Sequence, residues 1–334
     1  MRNLESIGMT SKFPILVALA GLLVGAAARA EPPAPPPAHT LAVGGGEVAG
    51  AYYPEAGAIC RVVNSGRDQH GMHCLVEPSA GSAANLAGLR GGDQQLAIVQ
   101  SKALAQAIAG SGPFAGQPPF TELRSLMSLH GEALAVLVAA NAKIKTPADL
   151  KGKRLNLGHP GSYQRAMGEA LLEAEGLHPT DLAAALEMEP GKLVKALCNN
   201  QIDAAFVTGI HPVNEVQEAM DDCGATLLPL KDAALDAYLK GNPAFSRLTI
   251  NADDYQGLHD KVPSFGLRAV LVTTDKLSAA DGYALVKAVF DNFTPFKQMH
   301  PLLGELERKQ MARDALVAPL QEGAERYYKE NGLP

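Results

Sequence analysis

Short apolar runs alternate with amphipathic segments from Leu41 onward, and glycine, serine or proline stands at most of the joints. The first case is the clearest. Leu41, Ala42 and Val43 stop at Gly44, Gly45 and Gly46; Tyr52, Tyr53 and Pro54 follow, and apolar positions then recur at Ala56, Ile59, Val62 and Val63. A short apolar run passing into a helical period predicts strand, glycine-rich turn, helix. The logic repeats. Residues 72–76 predict a strand, 82–89 a helix capped by Ser82, and 96–100 a buried strand whose next residue, Ser101, opens a helix over 102–109. After a Gly/Pro loop at 110–119, residues 123–129 and 134–140 read as two more strands. A strand at 155–158 meets the turn Gly161-Ser162-Tyr163 and a helix at 164–175. Strand, helix, strand and helix follow at 186–189, 192–199, 202–207 and 213–220, the last two joined through Thr208 and Gly209. Residues 263–274 are strongly apolar and predict a strand carrying the chain back to its first half; 281–328 are mostly helical.

Repeated strand–turn–helix units imply an α/β fold with mainly parallel sheets flanked by helices. In such sheets ligands sit beyond the carboxyl ends of the strands. The polar turns fall there, so the candidate contacts are Gly45, Glu47, Tyr52, Ser82, Asn85, Gln100, Ser101, Ser162, Tyr163, Gln164, Thr208 and Gly209. Glycine lets backbone approach a ligand, and helix starts offer unpaired N–H groups to an anion. Hydroxyls and amides dominate these turns, so a small organic anion can be held without an obligatory arginine. Arg90 and Arg154 read as structural, and Asp203 as bonded to backbone or an arginine.

The amino terminus changes the compartment. Arg2 and Lys12 precede an apolar stretch from Phe13 to Ala28, and Ala28-Arg29-Ala30 fits a small-x-small cleavage site. Residues 1–30 therefore read as a secretory signal peptide; the alternative, an uncleaved anchor, wants about 20 apolar residues. Residues 31–40 read as a proline-rich leader. The formal net charge is −6. Removing Arg2, Lys12, Arg29 and Glu5 makes the remainder about two charges more acidic. The lack of a basic block argues against a nucleic-acid partner. In an exported chain four cysteines suggest disulfides. Cys60–Cys74 with Cys198–Cys223 is the simplest of three connectivities, and isolated buried thiols are the alternative. His70, His73 and Cys74 resemble metal ligands, but a strand sends His73 and Cys74 to opposite faces, so no metal site is expected.

At this point the residues reach a family. The chain resembles the TAXI class of solute receptors that serve tripartite ATP-independent periplasmic (TRAP) transporters. The likeness rests on the glycine-rich stretch ending in Tyr52-Tyr53-Pro54, and on Gly81-Ser82 with Asn85-Leu86. It continues in the strand ending Gln100-Ser101, in Asp149-Leu150-Lys151-Gly152-Lys153-Arg154 and in Gly158-His159-Pro160-Gly161-Ser162. Gln201-Ile202-Asp203-Ala204-Ala205-Phe206, Gly209 with Pro212, and Gly323-Ala324-Glu325-Arg326-Tyr327-Tyr328 complete it. The resemblance implies a periplasmic-binding-protein-like fold of two lobes joined by a hinge: 41–139 plus 264–334, and 140–263. It implies a periplasmic receptor, not an enzyme, with a small organic anion in the cleft and TRAP membrane subunits as partners. The ligand would be a dicarboxylate or an acidic amino acid, and no cofactor is implied.

The chain departs from that family's pattern at Glu47, Val48 and Ala49, at Glu55 where an apolar residue is usual, at Lys102, and at Tyr163-Gln164. Glu47, if it faced the cleft, would repel a dicarboxylate and favour a ligand with an ammonium group. Two other function classes stay open. One is a sensory module that passes closure to a membrane receptor. The other is a serine hydrolase using Ser82 or Ser162, although neither lies in a G-x-S-x-G elbow.

Overall fold

The computed structural model describes residues 38–334; the predicted signal peptide and residues 31–37 of the proline-rich leader lie outside the described residues. β1 (His39–Gly44) is buried from Leu41 and stops at the glycines. There Gly46 has φ +72°, a left-handed conformation that a side chain would strain. α1 (Tyr52–Ser65) follows, with Ala56, Ile59, Val62 and Val63 on its inner face. After the single turn α2 (Arg67–His70), β2 (Met72–Glu77) runs parallel to β1 at the sheet edge. α3 (Ser82–Gly91), β3 (Leu96–Gln100) and α4 (Ser101–Ala109) come next, and β3 lies parallel to β1 on its other side. Gly81, not Ser82, occupies the cap position of α3.

β4 (Leu123–Val138) crosses into a second set of parallel units. These are β5 (Arg154–Asn156), α5 (Tyr163–Ala174), β6 (Ala184–Leu186), α6 (Pro190–Cys198), β7 (Ala204–Gly209) and α7 (Asn214–Cys223). β5 pairs in parallel with both β6 and β7. β8 (Thr226–Leu227), α8 (Ala233–Gly241) and β9 (Phe245–Ile250) lead to β10 (Val262–Thr274), which returns to the first set. The chain ends in α9 (Ala279–Asp291), α10 (Phe293–Lys297), α11 (Arg308–Met311) and α12 (Glu322–Glu330). Among the described residues no helix is long and apolar enough to cross a membrane.

The strands form one sheet in the order β2-β1-β3-β10-β4-β7-β5-β6, with β8 on β4 and β9 on β10. β4 and β10 are an antiparallel ribbon running through both halves. The sequence predicts two strands where β4 is one. Residues 131–133 stay extended because β10 pairs with them: Arg268 opposes Gly131, Leu267 opposes Glu132 and Gly266 opposes Ala133. Gly266 permits this approach, since a Cβ there would collide with the Glu132 carbonyl. The apolar core changes hands at the same place. Leu126, Met127, Leu129, Ala269 and Leu271 pack with α1, α9 and α12, whereas Ala133 to Val138 and Leu267 pack with α5, α6 and β7.

Both disulfides follow the sequence-local pairing. Cys60 of α1 joins Cys74 of β2 with Cα atoms 4.9 Å apart, and Cys198 joins Cys223 at the ends of α6 and α7 with 5.2 Å. Closing loops of this size removes unfolded-state entropy worth about 3 kcal/mol each.

Candidate functional site

The carboxyl ends of β3 and β7 both reach the middle of the ribbon. Gln100 lies opposite Ala269 on β10, and Gly209 opposite Ala133 on β4. Several helices start here too, with Tyr52, Ser82 and Tyr163 as the first residues of α1, α3 and α5. Their side chains meet. The Ser82 hydroxyl accepts from the Gln100 backbone N–H at 3.0 Å and hydrogen-bonds the Tyr52 phenol. Gln100 Nε2 donates to Glu132 Oε2 at 3.0 Å. The Tyr163 phenol donates to the Glu132 carbonyl at 3.1 Å. Glu132 thus sits between residues of the first half of the fold and a residue of the second, with its side chain 20% exposed.

Beneath it lies a charged pair. Glu55 on α1 is fully buried and its Oε1 lies 2.8 Å from His130 Nδ1, itself 3% exposed. His130 Nε2 is 3.9 Å from Glu132 Oε1, and the His130 ring centroid is 5.8 Å from that of Tyr52. Burial alone would lower the imidazole pKa; the Glu55 and Glu132 carboxylates outweigh it and lift it to about 9. His130 is therefore cationic at neutral pH. The Tyr52 and Tyr163 phenols are pushed well above their ordinary range, by burial first and by the Glu132 charge second. They remain neutral hydrogen-bond donors.

Of the residues the sequence singles out, Tyr52, Ser82, Gln100 and Tyr163 come together around Glu132. Ser162 caps α5, its hydroxyl accepting from the Arg165 N–H at 3.1 Å. Gln164 folds over Gly158, and its Nε2 is buried without a partner. Thr208 and Gly209 close β7 against Leu134 and Ala133 of β4. Gly45 donates its N–H to the Glu77 carbonyl, and a Cβ there would meet Val76 at 2.8 Å. Three expected contacts are placed differently. Glu47 is exposed on the turn. Asn85 is fully buried; its Nδ2 donates to the carbonyls of Gly44 at 2.9 Å and Ile98 at 2.8 Å, and its Oδ1 accepts from Ser79. Ser101 is buried, donating to the Ala244 carbonyl at 2.6 Å and accepting from the Arg268 N–H. In the HGMHC motif, Cys74 is in its disulfide and His70 Nδ1 accepts from the Met72 N–H.

Sequence reasoning missed Glu55, His130 and Glu132 as a unit. Two signals were present: an acid where the resembled pattern has an apolar residue, and a polar break, His130-Gly131-Glu132, between two apolar runs. The ribbon's pleat sends Glu132 and Leu267 to one face, and Gly131, Ala133, Gly266 and Arg268 to the other. That other face borders a cleft of about 730 Å³, lined by His130, Ala133, His211, Leu248, Arg268 and Glu305 among others. Arg268 is 5% exposed and its donors are engaged by Leu129, Ser246 and Gln310, with Asp314 3.5 Å away. Burial drives His211 down to about 4, so it is neutral there.

Comparison with known proteins agrees with this architecture. The model of the NMT1-like family matches residues 43–332. A TctC solute binding protein from Polaromonas is 16% identical, with 88% of this chain and 98% of that chain covered and a TM-score of 0.54. The periplasmic aliphatic sulphonate binding protein SsuA from Escherichia coli is 15% identical over 88% of each chain, with a TM-score of 0.44. PhnD1 from Prochlorococcus marinus, solved with methylphosphonate, is 12% identical, covering 88% and 98%, with a TM-score of 0.42. The Polaromonas protein, at this identity, shows a shared fold: α/β of the periplasmic-binding-protein type.

Proposed function

The chain belongs to the NMT1-like family, and from that premise we propose that it is a periplasmic solute-binding protein, exported by its signal peptide, that captures a small organic anion. The anion is a dicarboxylate or an acidic amino acid. It binds between a lobe of residues 41–139 plus 264–334 and a lobe of residues 140–263. The filled receptor then delivers it to the membrane subunits of a TRAP-type transporter, as the resemblance to TAXI receptors implies.

The observation that carries this reading is the meeting of Tyr52, Ser82, Gln100 and Tyr163 at the carboxyl ends of the strands. Helix starts favour carboxylate, and phenols that stay neutral donate to it without bringing a competing charge. A ligand touching both lobes binds the closed form better than the open one, and that difference is what drives closure. The serine hydrolase reading loses support. Ser82 is engaged by Gln100 and Tyr52, Ser162 caps α5, and among the described residues no histidine bonds either hydroxyl.

A thermal-shift screen of the mature chain against organic acids, amino acids, sugars and cations tests the reading. A ligand at one hundred times its Kd stabilises the folded state by about 2.7 kcal/mol. Carboxylates should raise the melting temperature, and Tyr52→Ala should weaken binding about tenfold, roughly 1.4 kcal/mol. A response to sugars or cations alone contradicts the proposal.

A further inference from the structure

We infer that Glu132 is the specificity-determining residue of this candidate site, selecting ligands that carry an ammonium group, and that the buried Glu55–His130 pair positions it. The inference rests on the organic-anion reading above and narrows it. Glu47 is the acid the sequence offers for such selection, and it is exposed on its turn. Glu132 stands where the two halves of the fold meet. Its Oε2 accepts one hydrogen bond, from Gln100, and its Oε1 lies 3.9 Å from His130 Nε2, beyond hydrogen-bond range. An ionised carboxylate offers about four lone-pair sites, so most of its accepting capacity is unspent. A second carboxylate brought beside it is repelled, whereas an ammonium group gains a charge-assisted hydrogen bond.

His130 stands between the two acids, its Nδ1 2.8 Å from Glu55 Oε1 and its Nε2 3.9 Å from Glu132 Oε1, so Glu55 holds the imidazole beneath Glu132. Glu55 is 0% exposed, and an apolar residue there would leave His130 desolvated with less to hold its proton. The groups around His130 are Tyr52 and Glu55 on α1, Glu132 on its own strand, and Arg268 on β10, which borders the same reverse cleft and is balanced by Asp314. Glu55 and His130 are thus positioning residues that act through Glu132.

Calorimetric titration with matched pairs tests it: L-glutamate against glutarate and L-aspartate against succinate, which differ only in the ammonium group. The wild-type chain should prefer the amino acid of at least one pair by tenfold or more. Glu132→Gln should bring that ratio to within about threefold of one, and Glu132→Asp should restore part of it. In folded His130→Gln the amino-acid-to-dicarboxylate ratio should change at least threefold, whereas a merely structural role would weaken both ligands alike and leave the ratio unchanged. A wild-type preference for the plain dicarboxylate, or equal weakening of both ligands in folded Glu132→Gln, overturns the inference and leaves the organic-anion site standing. Binding of neither member of either pair overturns both.

Discussion

Asn85 and Glu132 are both polar residues near strand ends, and the structure gives them opposite work. Asn85 spends its amide on the carbonyls of Gly44 and Ile98 and so ties β1 to β3. Asn85→Ala would leave two buried carbonyls unpaired, at a cost of about 2–4 kcal/mol. Urea unfolding should show that loss, and an unchanged midpoint would refute the bracing role. Tyr52, Ser82, Gln100 and Tyr163 were legible in the sequence because turn chemistry and helix starts announce them. Asn85 was legible as important but not as structural, since sequence does not reveal which carbonyls face an amide. Arg154 and Asp203 fell out as expected: the guanidinium and backbone N–H of Arg154 both donate to the Asp203 carboxylate, holding its pKa below the usual range. Glu132 and His130 escaped because a polar triplet inside an apolar run has the signature of a loop.

At the scale of elements, most of the strand–turn–helix order is readable from periodicity, and the exceptions have physical causes. β4 reads as two strands because a local pattern cannot show that β10 lies alongside residues 131–133 and pairs with them. β7 continues through Thr208 and Gly209, read as a turn, because β4 supplies partners that far. A second interaction between elements is equally silent in sequence. Glu175, just after α5, faces the carboxylate of Asp232, the cap of α8. Burial first, and the Asp232 carboxylate second, lift Glu175 to about 7. Its folded pKa is thus raised above the unfolded one. The stability it contributes is present in full below about pH 4.5 and is lost as pH rises through about 7. The wild-type melting temperature should therefore fall between pH 5 and 8 more than that of Glu175→Gln. Parallel profiles for the two proteins would show that the pair does not share a proton.

At the scale of the whole molecule, two paired strands run through the apolar clusters of both halves, and their polar middle carries the candidate site on one face and a cleft on the other. On the two-lobe proposal the halves tilt about this ribbon, and a ligand held by both would select the tilted-in form. This motion is what would distinguish a filled receptor from an empty one at a membrane transporter. The most direct measurement is small-angle X-ray scattering of the mature chain across a titration with the organic acid or amino acid that binds best. The account predicts a radius of gyration that shrinks on binding and saturates at the same ligand concentration as the calorimetric signal. An unchanged radius with the ligand fully bound would contradict capture by closure.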